Sequence, residues 1–130
     1  MLIDIPNFTE NELMCPCCIA PQDLTTYPPW DNINRLAVHL QVLRNLCGYP
    51  LKINSAYRCE HHNKAVGGSK RSQHLKGLAA DISTKRWSEK KKDNLIKLAS
   101  VLGFKGIGRY DTFIHIDLRN RITHWDERTK

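Results

Sequence analysis

Ser72-Gln73-His74-Leu75-Lys76-Gly77-Leu78-Ala79-Ala80-Asp81 and, further along, Phe113-Ile114-His115-Ile116-Asp117-Leu118-Arg119 decide how this chain is read. The second stretch alternates strictly, with Ile114, Ile116 and Leu118 on one face and Phe113, His115, Asp117 and Arg119 on the other, the pattern of a half-buried strand. One face is core and the other carries chemistry. At about 3.3 Å per residue, His115 and Asp117 emerge on the same side roughly 6.5 Å apart at their backbones. In the first stretch, Ala79-Ala80-Asp81-Ile82-Ser83 reads as a short strand, and a bend at Gly77 brings the Asp81 carboxylate back towards His74. Two histidines and a carboxylate meet the need of a catalytic zinc, which takes three protein ligands and leaves one position for water. From spacing alone, histidines that are merely hydrogen-bonded or solvent-facing account for the same segments.

Working outward, Asn7 to Met14 contains Thr9 followed by Glu12, a capping box that opens a short helix, and Pro16, Pro21, Pro28 and Pro29 make residues 1–29 an irregular arm. After Trp30, Asp31 is a good N-cap, and Ile33, Leu36, Ala37, Leu40, Leu43 and Leu46 recur at helical spacing as far as Gly48. This is the expected core helix. Leu51 to Arg58 alternates as a strand with Arg58 at its end, where a guanidinium is either an exposed charge or a bidentate partner for a carboxylate. His61 and His62 read as helical or surface residues, because adjacent positions on a helix point in different directions. Thr84 or Ser88 caps a second helix with Leu95, Ile96, Leu98, Ala99 and Leu102 inward and Gly103 at its stop. Gly106-Ile107-Gly108-Arg109-Tyr110 forms a hairpin with the His115 strand, its glycines permitting a close approach, and residues 120–130 read as a loosely held tail. The order of elements, without regular strand-helix-strand alternation, argues an α+β fold with an antiparallel or mixed sheet.

At 130 residues and 41% hydrophobic content the chain suits one domain, 1–130, with a single core. Twenty Lys and Arg against 13 Asp and Glu leave a net charge of +7, which favours an anionic partner such as nucleic acid or a cell wall carrying anionic polymers. The basic run from Lys85 to Lys92 opens the second helix, where it reads as a solvated face. There is no apolar run long enough to span a membrane, and the first residues lack the basic and apolar regions of a secretory signal. The expectation is synthesis in the cytoplasm without a signal peptide, and action after release or delivery. Five cysteines, an odd number, fit reduced thiols better than a closed disulfide framework. Cys15, Cys17 and Cys18 lack the paired spacing of a structural zinc site, and a Cys47–Cys59 bond is conceivable in an oxidising medium.

Ser55-Ala56-Tyr57-Arg58, the 72–81 stretch, Gly106 to Tyr110 and Phe113 to Asp117, in this order, resemble the M15 family of zinc D-Ala-D-Ala carboxypeptidases and murein endopeptidases, closest to its small phage and bacterial branch. The resemblance covers roughly residues 8–120. It implies the fold shared with the hedgehog signalling domain, an antiparallel sheet flanked by helices. It implies one zinc per chain held by His74, Asp81 and His115, with Arg58 on a substrate carboxylate or carbonyl and Ser72 and Gln73 beside the substrate. The implied substrate is a peptidoglycan stem peptide or crosslink, handled by a monomer with no nucleic acid or membrane partner. Several members carry an acidic general base three residues before the last ligand, where this chain has Thr112. Asp117, on the face of His115, and Asp111, next to the family position, are the candidates. That departure keeps open a non-catalytic alternative, a metal-holding domain of the same fold that binds wall or protein. A small basic nucleic-acid binder would explain the charge but leave the His and Asp segments unused.

Overall fold

The computed structural model describes residues 1–16 and 28–129, so Cys17, Cys18 and most of the Pro-rich part of the arm lie outside the described residues. The elements follow the order α1 (Glu10–Leu13), α2 (Trp30–Cys47), β1 (Ile53–Ser55), α3 (Glu60–Ala65), β2 (Ala79–Ser83), α4 (Glu89–Val101), β3 (Gly106–Arg109), β4 (Phe113–Asp117) and β5 (Thr123–Asp126). The sheet order is β1-β2-β4-β3-β5. Its first four strands are antiparallel and only β5 runs parallel, against β3. The α+β class is as the sequence reading expects.

Strand alternation sorts the two faces. Ala80, Ile82, Ile107, Ile114 and Ile116 enter one cluster with Ile33, Leu36, Ala37, Leu40 and Leu43 of α2 and Leu95 and Ala99 of α4. Burying such side chains is worth about 1.5–3 kcal/mol each before the entropy of ordering them is subtracted. The helices therefore cover the apolar face, leaving the opposite one to the polar residues of β2 and β4. Helix α2 ends as expected, with Gly48 left-handed at φ 77° and its N–H on the Arg44 carbonyl. It begins two residues earlier than expected. Pro29 is the N-cap position and Asp31 lies inside the first turn, because Trp30 already enters the helix and the Pro29 carbonyl receives the Ile33 N–H. Leu46 lies off the buried stripe and is 56% exposed. Thr9 closes its capping box with Glu12, and Ser88 caps α4. No described helix is long and apolar enough to cross a membrane.

Two expectations need correction. A Cys47–Cys59 bond is not formed: Cys47 Sγ lies 3.5 Å from the Arg44 carbonyl and 3.4 Å from that of Tyr49, while Cys59 Sγ faces Cys15 Sγ at 3.5 Å. Residues 120–129 are not a loose tail either. Thr123 N–H donates to the Lys105 carbonyl and Glu127 N–H to that of Arg109, and Thr129 is held through both its N–H and its hydroxyl by Asp111. Short polar segments give little periodic signal, so the strand is specified by its partner β3 rather than by its own composition. In native-state hydrogen exchange, the Thr123 and Glu127 amides should therefore exchange on the order of tenfold or more slower than in an unfolded peptide; rates equal to the peptide's would restore the loose tail.

Candidate metal centre

The register of β2 and β4 sets Asp81 directly opposite His115 and Ala79 opposite Asp117. His74 comes from the preceding turn, built from successive i to i+3 bonds: Leu75 N–H to Ser72, Lys76 N–H to Gln73 and Gly77 N–H to His74. Gly77 then turns the chain into β2 at φ 74°, where a Cβ would also press on Ile33 at 2.8 Å. The expected bend is therefore a bend, and it brings two loops of sequence to one point.

At that point Asp81 Oδ1 lies 2.9 Å from His115 Nδ1 and 3.3 Å from His74 Nε2. Each imidazole is held from behind. His74 Nδ1 donates to the Ala56 carbonyl at 2.6 Å, and His115 Nε2 donates to Asp117 Oδ2 at 2.8 Å. With those nitrogens carrying hydrogens, the neutral rings would turn two lone pairs and a carboxylate oxygen towards one another, an arrangement that needs a cation or a proton between them. All three side chains are buried, and one ligand atom of each falls within 4.8 Å of the others. A neutral-imidazole and carboxylate set backed by outer acceptors is what zinc takes. The residues fit the metal.

Burial disfavours charge here, but the hydrogen bonds outweigh it. Asp81 is held well below the usual carboxylate range by His115 and His74, and the His115 imidazole is raised above its ordinary value by Asp117 and Asp81. Asp117, likewise resisted by burial, is pulled well below that range by Arg119 and His115. Arg119 grips it through Nε to Oδ1 at 2.8 Å and Nη2 to Oδ2 at 2.7 Å.

Arg58 reaches the centre, yet much of its fork serves the protein: Nε donates to Ser55 Oγ, Nη1 to Asn63 Oδ1 and Nη2 to Asp81 Oδ2 at 3.3 Å. It steadies the Asp81 carboxylate while lining the cleft. That cleft, of about 450 Å³, has the expected ligands on its floor. Arg58, Ser69, Arg71, Ser72 and Gln73, from the chain before β2, and Tyr110, Phe113, Arg119 and Trp125, from β4, β5 and the segments around β4, complete its lining. Ser72 Oγ also accepts the His74 N–H, so it shapes the ligand turn. Arg71 and Trp125 were missed in the sequence; the only signal for the latter is a lone tryptophan inside a polar tail.

Neither aspartate weighed as a base turns a carboxylate into the cleft. Asp117 is fully buried behind His115, with both oxygens occupied by His115 and Arg119. Asp111 is exposed at the hairpin turn, where both oxygens serve Thr129, and it lines a different hollow with Glu89 and Arg128. Among the described residues, Asp81 is the one carboxylate that lines the cleft. The close approach allowed by the β3 glycines is also made by the protein itself. A Cβ on Gly106 would collide with the Asp117 carboxylate and one on Gly108 with the Trp125 indole.

Two antiparallel strands and the turn before them thus bring His, Asp and His to the floor of an open cleft, the ligand set a metal-dependent hydrolase uses. Residues 6–117 match the family described as Peptidase M15, and the chain belongs to that family. It is a metallopeptidase domain, and zinc is the metal on which M15 peptidases depend. Comparison with curated proteins finds no match.

The placement of the two aspartates has a measurable consequence. Asp117→Ala, which strands Arg119 and removes the acceptor behind His115, should lower unfolding free energy by about 3 kcal/mol or more in chemical denaturation. Asp111→Ala, at an exposed site, should cost far less. Equal small losses would mean that Asp117 is not held as described.

Proposed function

We propose that this metallopeptidase hydrolyses peptidoglycan stem peptides or their crosslinks, meeting the wall after release from the cell that makes it. The observation that carries the reading is the cleft, whose three-ligand floor is lined by arginines and by aromatic rings. A peptide fits such a slot with its polar end towards Arg58 and Arg71 and its apolar side against Tyr110 and Phe113.

In this reading His74 holds the metal through Nε2, His115 through Nδ1 and Asp81 through its carboxylate. Zinc, when bound, supplies a Lewis acid that polarises the scissile carbonyl and lowers the pKa of a water to about 7. Arg58 keeps Asp81 in orientation and offers its remaining N–H groups to a substrate carbonyl or carboxylate. Tyr110 Oη accepts the Trp125 indole N–H at 2.9 Å, so its own hydrogen is left to stabilise an oxygen that gains charge as the peptide bond is attacked. Asp117 acts by orienting His115 rather than by taking the proton. A second reading, a metal-holding domain that binds the wall without cleaving it, draws on the placement of Asp117 and Asp111 away from the cleft.

Purified murein incubated with the protein, with and without chelator, and read by the mass of released peptides separates these readings. Release that chelator abolishes and zinc restores supports hydrolysis, and the masses tell loss of a terminal residue from a split crosslink. Zinc-loaded protein that sediments with murein yet releases nothing supports the binding reading. His115→Ala should lose stoichiometric zinc. Arg58→Lys keeps the charge but loses the fork, and should lower kcat/KM on the order of 10–100-fold; wild-type hydrolysis by it would make Arg58 dispensable.

A further inference from the structure

The chain beyond Leu118 builds part of this centre, although the family match ends at residue 117. Trp125 stands opposite Gly108 in the parallel β3–β5 pairing, and its indole occupies the space a Cβ would take. From there the ring reaches three things at once. Its centroid is 5.2 Å from that of His115, at an interplanar angle of 44°. Its Nε1 donates to Tyr110 Oη at 2.9 Å, and Tyr110 is stacked on Phe113 at 4.3 Å between centroids. The Arg119 guanidinium lies 5.1 Å over the indole, and that same guanidinium clamps Asp117, which holds His115 Nε2.

An imidazole turns freely about its second side-chain torsion unless neighbours stop it, since that torsion is broad. Here the hydrogen bond to Asp117 fixes one edge of the His115 ring, and the indole limits how far its plane can tilt. We propose that Trp125 is a positioning residue of the metal centre: it braces the His115 ring so that Nδ1 faces Asp81 and His74, and keeps Arg119 seated on Asp117. The C-terminal strand thereby belongs to the site. An aromatic that merely walled the cleft would affect substrate affinity and leave metal affinity alone; one that merely filled space would be replaceable by any side chain of similar volume.

The assignment rests on the zinc reading, so the test measures the metal directly. Wild type, Trp125→Leu, Trp125→Phe and Tyr110→Phe are compared by chelator competition for zinc and by the visible spectrum of the cobalt-substituted protein, with melting temperature recorded alongside. Trp125→Leu should weaken zinc binding about tenfold or more and shift the cobalt bands, a loss of the size seen when outer partners of ligands are removed. Trp125→Phe, which keeps a flat ring against His115, should recover most of that loss. A leucine variant with wild-type zinc affinity and cobalt spectrum overturns the assignment, as does a phenylalanine variant no better than leucine. Should the leucine variant fail to fold, Tyr110→Phe decides, because in the substrate-free cobalt protein its effect is loss of the acceptor that orients the indole; an unchanged cobalt spectrum there overturns the proposal. Wild-type protein that binds no zinc overturns the reading of the centre as well, whereas zinc-binding wild type with an indifferent leucine variant overturns only the role of Trp125.

Discussion

The cross-strand pairing of Asp81 with His115 is the constraint on which the rest depends. Side chains alternate along a strand, so sliding β2 by one residue against β4 would send Asp81 into the helix-covered face and bring Ile82 or Ala80 out. The apolar face forbids that slip, because Ile82, Ile114 and Ile116 are fully buried against α2 and α4. Core packing thus does for the metal centre what no local interaction there could do: it fixes the register. The turn at Gly77 then has only one strand position to aim His74 at.

The centre itself is a chain of alternating basic and acidic side chains laid across the sheet. Arg58 meets Asp81, Asp81 meets both histidines, His115 meets Asp117, and Asp117 meets Arg119. Taking any one of these out of water alone is costly, and each is offset by the next. Such a network adds little to stability compared with a well-packed apolar replacement, but it leaves each member a single comfortable orientation. The stability is supplied on the other face of the same sheet. This division lets one layer of backbone serve an apolar core and a polar site without mixing them.

Much of this was legible in the sequence, and the part that was not has a physical explanation. Helices α2 and α4, the strand character of 79–83 and 113–117, and the faces of Ile114 and His115 follow from periodicity, because burial imposes it. Strand β5 was not legible: Thr123, His124 and Asp126 are exposed, so its position comes from backbone pairing with β3, which has no side-chain signature. Arg58 could be named as important but not divided between substrate and Asp81, since that depends on where Asn63 and Ser55 lie. The glycines of β3 signalled close approach without saying by what; Asp117 and Trp125 are the answer.

Asp117 shows where periodicity stops informing chemistry. Alternation correctly assigns it to the face of His115, yet a face has depth, and an imidazole has two ends. A neighbour two residues along the strand stands roughly 6.5 Å away at the backbone, whereas a directly opposed residue on the next strand has its Cβ about 4.5–5.5 Å away. The nearer position belongs to Asp81, which therefore shares Nδ1 with the point where His74 arrives, and Asp117 is left with Nε2 on the far side of the ring. Gly106, opposite Asp117, makes the space that lets its carboxylate fold inward there, and Arg119 then neutralises it. For a histidine on a central strand, the residue across the ladder is thus the natural co-ligand and the residue two along is the natural support.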